Sequence, residues 1–197
     1  MPSQTEICNA SLIALGETTI IALVGADVCP TCGRGNNTNI TILNAMWDIA
    51  LGAALRCHPW KFANARAALA SALPAPIWGY EHKFTLPVDC VKVISLDESD
   101  GAIEYRQVGN FIETDQDAIS ILYTSRITDC SLFDDLFTQA LVYALAANIA
   151  PAVKGAGAAA EMWSLFGQIL QQARTMDSQA GQSHYSFSSD TFTSVRT

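Results

Sequence analysis

Apolar residues recur along this chain first at helical spacing, then in alternation, then at helical spacing again, and these changes divide it. Ile7, Ala10 and Ala14 share one side with Leu12 and Leu15 beside them, and Gly16 follows as a stop, which predicts a short helix over residues 6–15. Residues 18–24 are β-branched and extended in preference, and a Gly- and Asn-rich loop follows over 25–39. Ile42, Ala45, Met46, Ile49, Ala50 and Ala53 then mark one face of a second helix over 41–57, with Asn39 or Thr41 able to cap it. Pro59 ends or kinks that helix. Trp60, Phe62 and an Ala-rich run read as a helical continuation over 60–72, closed by Pro74 and Pro76.

From residue 77 to 129 the period shifts toward two. Residues 90–96, 103–108 and 119–123 read as strands, with a turn at 97–101 leading the first into the second. Gly109-Asn110 is hairpin chemistry that would turn the second into a short strand over 111–113. After Asp129 the helical period returns: Phe133, Leu136, Phe137, Ala140, Leu141, Ala144, Leu145, Asn148 and Ile149 form one stripe, and Val142, Tyr143 and Ala146 make the other side apolar too. A helix over 133–149 that is apolar all round should be the central one. Pro151 and the Gly155/Gly157 pair should break it, and Met162, Leu165, Phe166, Ile169, Leu170 and Ala173 predict another helix over 158–176. The expected fold class is α+β: a helical bundle body with a small antiparallel β-sheet insertion and an extended C-terminal arm. The divisions fall at 1–76 for the N-terminal helical part, 77–129 for a β-rich acidic sub-domain, 130–177 for the helices completing the body, and 178–197 for the arm.

Composition sharpens the picture in two ways. Half of the 197 residues are hydrophobic, which excludes a disordered chain, and the apolar runs are read as too short to span a bilayer. The start of the chain lacks a basic segment ahead of an apolar one, so no secretory signal is read and a cytoplasmic origin is expected. The formal net charge of −8 argues against a protein that grips DNA, which needs clustered Lys and Arg. Twelve acids face four bases between positions 81 and 135, while the rest balances seven against seven, so the excess belongs to the sheet region. Solvation of that region explains it; so would a negative surface that repels a polyanion or meets a basic partner.

Candidate chemistry is sparse. His58, His82 and His184 occur in no metal-ligand spacing, and no nucleophile elbow, Walker loop or dinucleotide fingerprint is present. Neither catalysis nor a cofactor is indicated. His58-Pro59-Trp60 reads as a packed helix junction, and Asp134-Asp135 as a helix start favoured by the macrodipole. Cys8, Cys57, Cys90 and Cys130 stand alone and read as free thiols. Cys29 and Cys32 have a C-x-x-C spacing that could hold half of a zinc site or a dithiol, though without a second pair and within a loop, so no metal site is assigned. The last twenty residues hold nine Ser or Thr and no core, only Tyr185, Phe187 and Phe192. Such a segment is a disordered terminus or an arm that orders against a partner through its aromatics, which makes those three the candidate partner-binding residues.

Several strings, in their order and spacing, carry a resemblance: Glu6-Ile7-Cys8-Asn9-Ala10-Ser11-Leu12-Ile13-Ala14-Leu15-Gly16-Glu17, Cys57-His58-Pro59-Trp60-Lys61-Phe62-Ala63, Phe84-Thr85-Leu86-Pro87-Val88-Asp89-Cys90-Val91-Lys92-Val93, the turn at 108–115, and residues 133–150. Across residues 6 to 177 the chain resembles the tail tubular protein A and head-to-tail adaptor proteins of tailed bacteriophages. The Cys-bearing loop over 26–39 is longer than that pattern. The resemblance implies a virion protein at the portal vertex and tail, assembled in the host cytoplasm, with no enzymatic role and no membrane. It implies a homo-oligomeric ring, typically of twelve copies, that joins the portal protein to the tail nozzle or tube. DNA passes through the bore during ejection without specific binding, and the C-terminal segment engages the portal. Some of the acids between 81 and 135 would then line the bore. The alternative is a small cytoplasmic metal-binding or thiol protein using Cys29 and Cys32.

Overall fold

The computed structural model describes residues 2–20, 37–96 and 103–179, and within them the fold is α+β. Ser3 starts helix α1 (Gln4–Ala14) with a reciprocal cap: its hydroxyl accepts from the Glu6 N–H, and the Glu6 carboxylate accepts from the Ser3 N–H at 2.6 Å. The chain leaves α1 through Gly16 at φ +70°. It is then held at Ile20, whose backbone N–H and C=O both bond to the Asn9 side chain at 2.8 and 2.9 Å.

Helix α2 (Asn37–Cys57) begins earlier than expected, so Asn39 and Thr41 lie inside it. Helix α3 (Asp135–Val153) is capped by Asp134, whose Oδ1 accepts from the N–H groups of Leu136 and Phe137 at 2.9 and 3.3 Å. As its all-round apolar pattern required, α3 is the central helix: Phe137, Leu141 and Leu145 are wholly buried, and α1, α2 and α4 (Ala156–Gln179) all pack on it. Pro151 does not break α3. It lies near the helix end, where a missing N–H costs a single bond, and the break comes at Gly155, at φ +94°, whose N–H closes the helix on Ala150. By length and composition α2 and α3 are both apolar enough to cross a membrane, contrary to the reading of the apolar runs as too short; a third of the α2 window (33%) and half of the α3 window (50%) are buried within the protein.

The helix expected over 60–72 is absent. Trp60 is buried in the helical core with its indole N–H donating to the Ala54 carbonyl at 3.0 Å, and after a short 3-10 turn at Lys61–Ala63 the chain becomes strand β1 (Asn64–Ala68) and strand β2 (Ala70–Ser71). The helical preference of alanine is a weak prior, and pairing overrides it. Residues 64–68 run antiparallel to strand β7 (Ser120–Ser125), with Asn64 opposite Thr124 and Ala68 opposite Ser120, and Ala65, Ala67 and Leu69 turn inward onto a second apolar cluster.

The strand region contains two small sheets instead of the single one expected. One has the order β1-β7-β4, with β4 at Cys90–Leu96; the other has the order β2-β3-β6-β5, with β3 at His82–Thr85, β5 at Arg106–Val108 and β6 at Phe111–Thr114. Thus β4 pairs with β7 and not with its successor β5; the proposed turn at 97–101 itself lies outside the described residues. The β5-β6 hairpin forms as its sequence predicts, closing Val108 against Phe111 through Gly109 at φ +59°. Both sheets contribute to the second cluster, Phe84 and Ile112 from one and Ile121 and Tyr123 from the other. The lobe is tied to α2 by Arg56, which donates to the Val91 carbonyl at 2.9 Å, and by the Arg126–Asp48 ion pair at 3.0 Å.

Candidate functional site

The residues singled out by sequence fall largely beyond this description: Tyr185, Phe187 and Phe192 of the arm, and Cys29 and Cys32 of the loop, lie outside the described residues. The arm also begins later than residue 178, since Ser178 and Gln179 belong to α4. Among the described residues no group of three or more His, Cys, Asp or Glu could hold a metal ion. Burial pushes the Cys8 thiol up to about 12, with Cys130 nearby adding to it, and raises Cys90 and Cys130 above their ordinary value. Thiols so disposed are poor nucleophiles and serve as core filling.

The feature that sequence reading missed is the outer face of the β2-β3-β6-β5 sheet. Its inner rows bury Phe84 and Ile112, which lie opposite each other. Because side chains alternate across a strand, the next row, Lys83, Glu113 and Arg106, stands on the other face, and Thr85, Phe111 and Val108 form a parallel row beside it. The two cations rest on aromatic rings: Lys83 Nζ is 4.3 Å from the Phe111 centroid and the Arg106 guanidinium carbon is 5.4 Å from that of Trp78. Trp78 comes from the loop joining β2 to β3, which also carries Leu73 and Ile77 into solvent; the exposures are 90% for Leu73, 100% for Ile77 and 73% for Trp78. A signal existed in the sequence, since large apolar side chains in the Pro- and Gly-punctuated run Leu73-Pro74-Ala75-Pro76-Ile77-Trp78-Gly79 have no regular element to bury them.

Acidic residues border this face: beyond the row of Lys83, Glu113 and Arg106, the Asp115 carboxylate accepts from the Glu81 N–H at 3.0 Å, and the Glu104 carbonyl accepts from the Thr114 hydroxyl at 2.9 Å. The acids of the region were expected on the sheet itself, yet among the described residues Glu113 alone lies within a strand. Asp89, Glu104, Asp115, Asp117 and Asp129 occupy the connections, where they are exposed. Strand interiors exclude them because one side of each strand faces the core and the paired backbone favours β-branched and aromatic side chains.

A second feature lies where α4 ends. The His58 ring sits edge-on to Trp60 at 4.9 Å and against Asp177, confirming a packed junction, and the Lys61 ammonium binds the carbonyls of Asp177 and Ser178. The last turn of α4 is therefore fixed beside the end of α2. Compared with known proteins, the chain matches no family model and no curated sequence.

Proposed function

We propose that this chain is a structural head-to-tail adaptor of a tailed phage: copies form a ring, dodecameric in the resembling proteins, that joins the portal to the tail nozzle or tube and gives DNA a path out of the capsid. The observation that carries this reading is the uncovered apolar loop between β2 and β3, where Ile77 is fully exposed, Leu73 is 90% exposed and Trp78 73% exposed. Large apolar side chains gathered in one exposed loop suit a surface that another protein covers. The strings that resemble the adaptor family support it as well, since they fall in α1, at the α2–β1 junction, along β3 and β4, at the β5-β6 hairpin and in the central helix α3. An acidic chain suits a conduit, because a basic lining would hold DNA by counterion release and slow its exit. The bore is accordingly lined by neutral or negative surface drawn partly from the acidic connections between residues 81 and 135. No enzymatic step is assigned.

The test is mass measurement of the isolated protein and of its mixture with the portal, together with imaging of the particle. The expected result is a ring at the portal vertex. A location elsewhere in the particle, or a single copy bound there, overturns the reading, and a strongly positive lumen overturns the statement about the bore.

A further inference from the structure

We propose that the β lobe pivots on the helical body: the two strand ends that join them form a hinge, and Arg56 and Arg126 form a latch that closes the lobe onto one face of α2. The chain passes between body and lobe at Ala63–Asn64 on the way out and at Ser125–Arg126 on the way back. These places are adjacent. Asn64 lies opposite Thr124 in the β1-β7 pair, and the Ser125 hydroxyl donates to the Ala63 carbonyl at 2.9 Å. Crossings far apart would hold the lobe at two ends, whereas crossings side by side leave rotation about one point open. The cores are separate as well. Among the described residues, every buried member of the helical cluster belongs to residues 7–63 or 130–173, and every one of the second cluster to residues 84–123. Units that keep their own cores move relative to each other unless a large apolar interface joins them. Here the apolar link is narrow: Val91, partly buried, is the strand residue that packs against the helical cluster, with Ile127 just beyond β7.

The remaining ties fall on one side of α2. Asp48, Gly52 and Arg56 recur every four residues and therefore stack along a single face of the helix. Arg126 Nη2 donates to the Asp48 carboxylate at 3.0 Å and to the Asp48 carbonyl at 3.3 Å. The guanidinium lies beside Gly52, where an added Cβ would meet Nη1 at 3.8 Å. One turn further on, Arg56 donates to the Val91 carbonyl at 2.9 Å. The backbone of Arg126 goes with the lobe, because its N–H donates to the Asp89 carbonyl at 2.7 Å, so its side chain carries the lobe's position to α2. That side chain is 41% exposed and the Asp48 side chain 72%. Water and salt compete for a pair so exposed, which gives a contact that opens and closes at low cost.

The test uses the full chain, carrying spin-label amino acids at Val108 on the β5-β6 hairpin and at Glu161 on α4, both exposed and both outside the hinge and the latch. In low salt, pulsed spin-resonance measurement should give one narrow distance distribution between the labels. Arg56→Ala combined with Arg126→Ala should widen it about twofold or more, and about 0.5 M salt should widen that of the parent, with the melting temperature nearly unchanged because both cores are intact. Asp48→Asn, a change at an exposed position outside either core, should widen it in the same direction and decides the matter where the double variant does not fold. Arg66→Ala, which removes a charge from exposed β1 outside the latch, should leave it as in the parent. A distribution equally narrow in the parent, in the latch variants and in high salt overturns the proposal. So does equal widening by Arg66→Ala, and so does a distribution already broad in low salt that the latch variants leave unchanged. Where the protein sits in a particle has no bearing on these outcomes.

Discussion

The carboxylate of Asp177, in the last turn of α4, is held at both oxygens: Oδ2 lies 2.9 Å from Nε2 of His58, and Oδ1 accepts from the Lys61 N–H at 3.2 Å. The side chains of His58 and Asp177 are only 13% and 15% exposed, so the contact is sheltered from competing water. Lys61 adds a cation at the C-terminal end of the helix, where the macrodipole favours one. A single junction thus ties the last helix to the end of α2. Replacing Asp177 by alanine should lower stability by about 1–3 kcal/mol, since the Lys61 N–H and the largely buried His58 ring lose their partner. Hydrogen exchange should quicken in residues 172–179 and stay unchanged in α1. Denaturation and exchange measurements check this, and a variant indistinguishable from the parent in both would show that the junction contributes nothing.

The thiols should separate by reactivity. Cys57 is exposed, whereas Cys8 is buried with its pKa pushed up to about 12. At pH 8 the thiolate fraction of Cys8 is on the order of one in ten thousand, and reagent must also reach it through the core. Alkylation followed by peptide mass analysis should therefore label Cys57 first, and Cys8 only at the rate of unfolding. Comparable rates at the two positions would contradict the packing of α1 described above.

The start of α1 should be sensitive to acid. Glu6 has its pKa lowered from 4.5 by hydrogen bonding, first from the Ser3 backbone N–H and then from the Ser3 hydroxyl. The charged form is the one favoured in the folded state, so its contribution is present above pH 4.5 and is lost as pH falls below that value through the lowered pKa. Amide exchange in the first turn of α1 should quicken over that interval. Glu6→Gln should remove the pH dependence of this turn, and a turn equally acid-sensitive in that variant would assign the effect to another group.

How much of this was legible in the sequence depends on how many physical constraints each segment met at once. Asp134 and the apolar residues behind it agree on a helix start, a period and a buried face, and α3 followed accordingly. Gly109-Asn110 agrees with the alternation on either side, and the β5-β6 hairpin formed. The run from 64 to 71 offered no such agreement: alanine fits a helix by preference and a strand by its small size, so the long-range partner, β7, decided. Pairing of β4 with β7 across an intervening hairpin is likewise a non-local choice that no single segment announces. The candidate surface was hidden for a related reason. The row of Lys83, Glu113 and Arg106 comes from strands separated in sequence, and the ring under Arg106 belongs to a loop, so the cluster exists only once the register is set.

The end of α4 fixes how the C-terminal segment should be tested. A deletion starting at residue 178 would remove a carbonyl that Lys61 binds and would shorten the helix, mixing loss of the arm with damage to the body. Removing residues 180–197 instead leaves Asp177, Ser178 and Gln179 in place. If the chain is the adaptor proposed above, this shorter deletion should leave the melting temperature and self-association unchanged and abolish attachment to the portal. In an extended arm Tyr185 and Phe187, two positions apart, would share a face while Phe192 would point to the other, so the three aromatics can grip a groove from two sides. Burying each ring offsets the ordering of a Ser- and Thr-rich backbone that has little else to bury. The triple variant Tyr185→Ala, Phe187→Ala, Phe192→Ala should then weaken attachment nearly as much as the deletion does, whereas Ser→Ala changes among them should not. Attachment that survives both the deletion and the triple variant, with the ring intact, would remove the arm from the portal contact and leave that role to the described surfaces of the body.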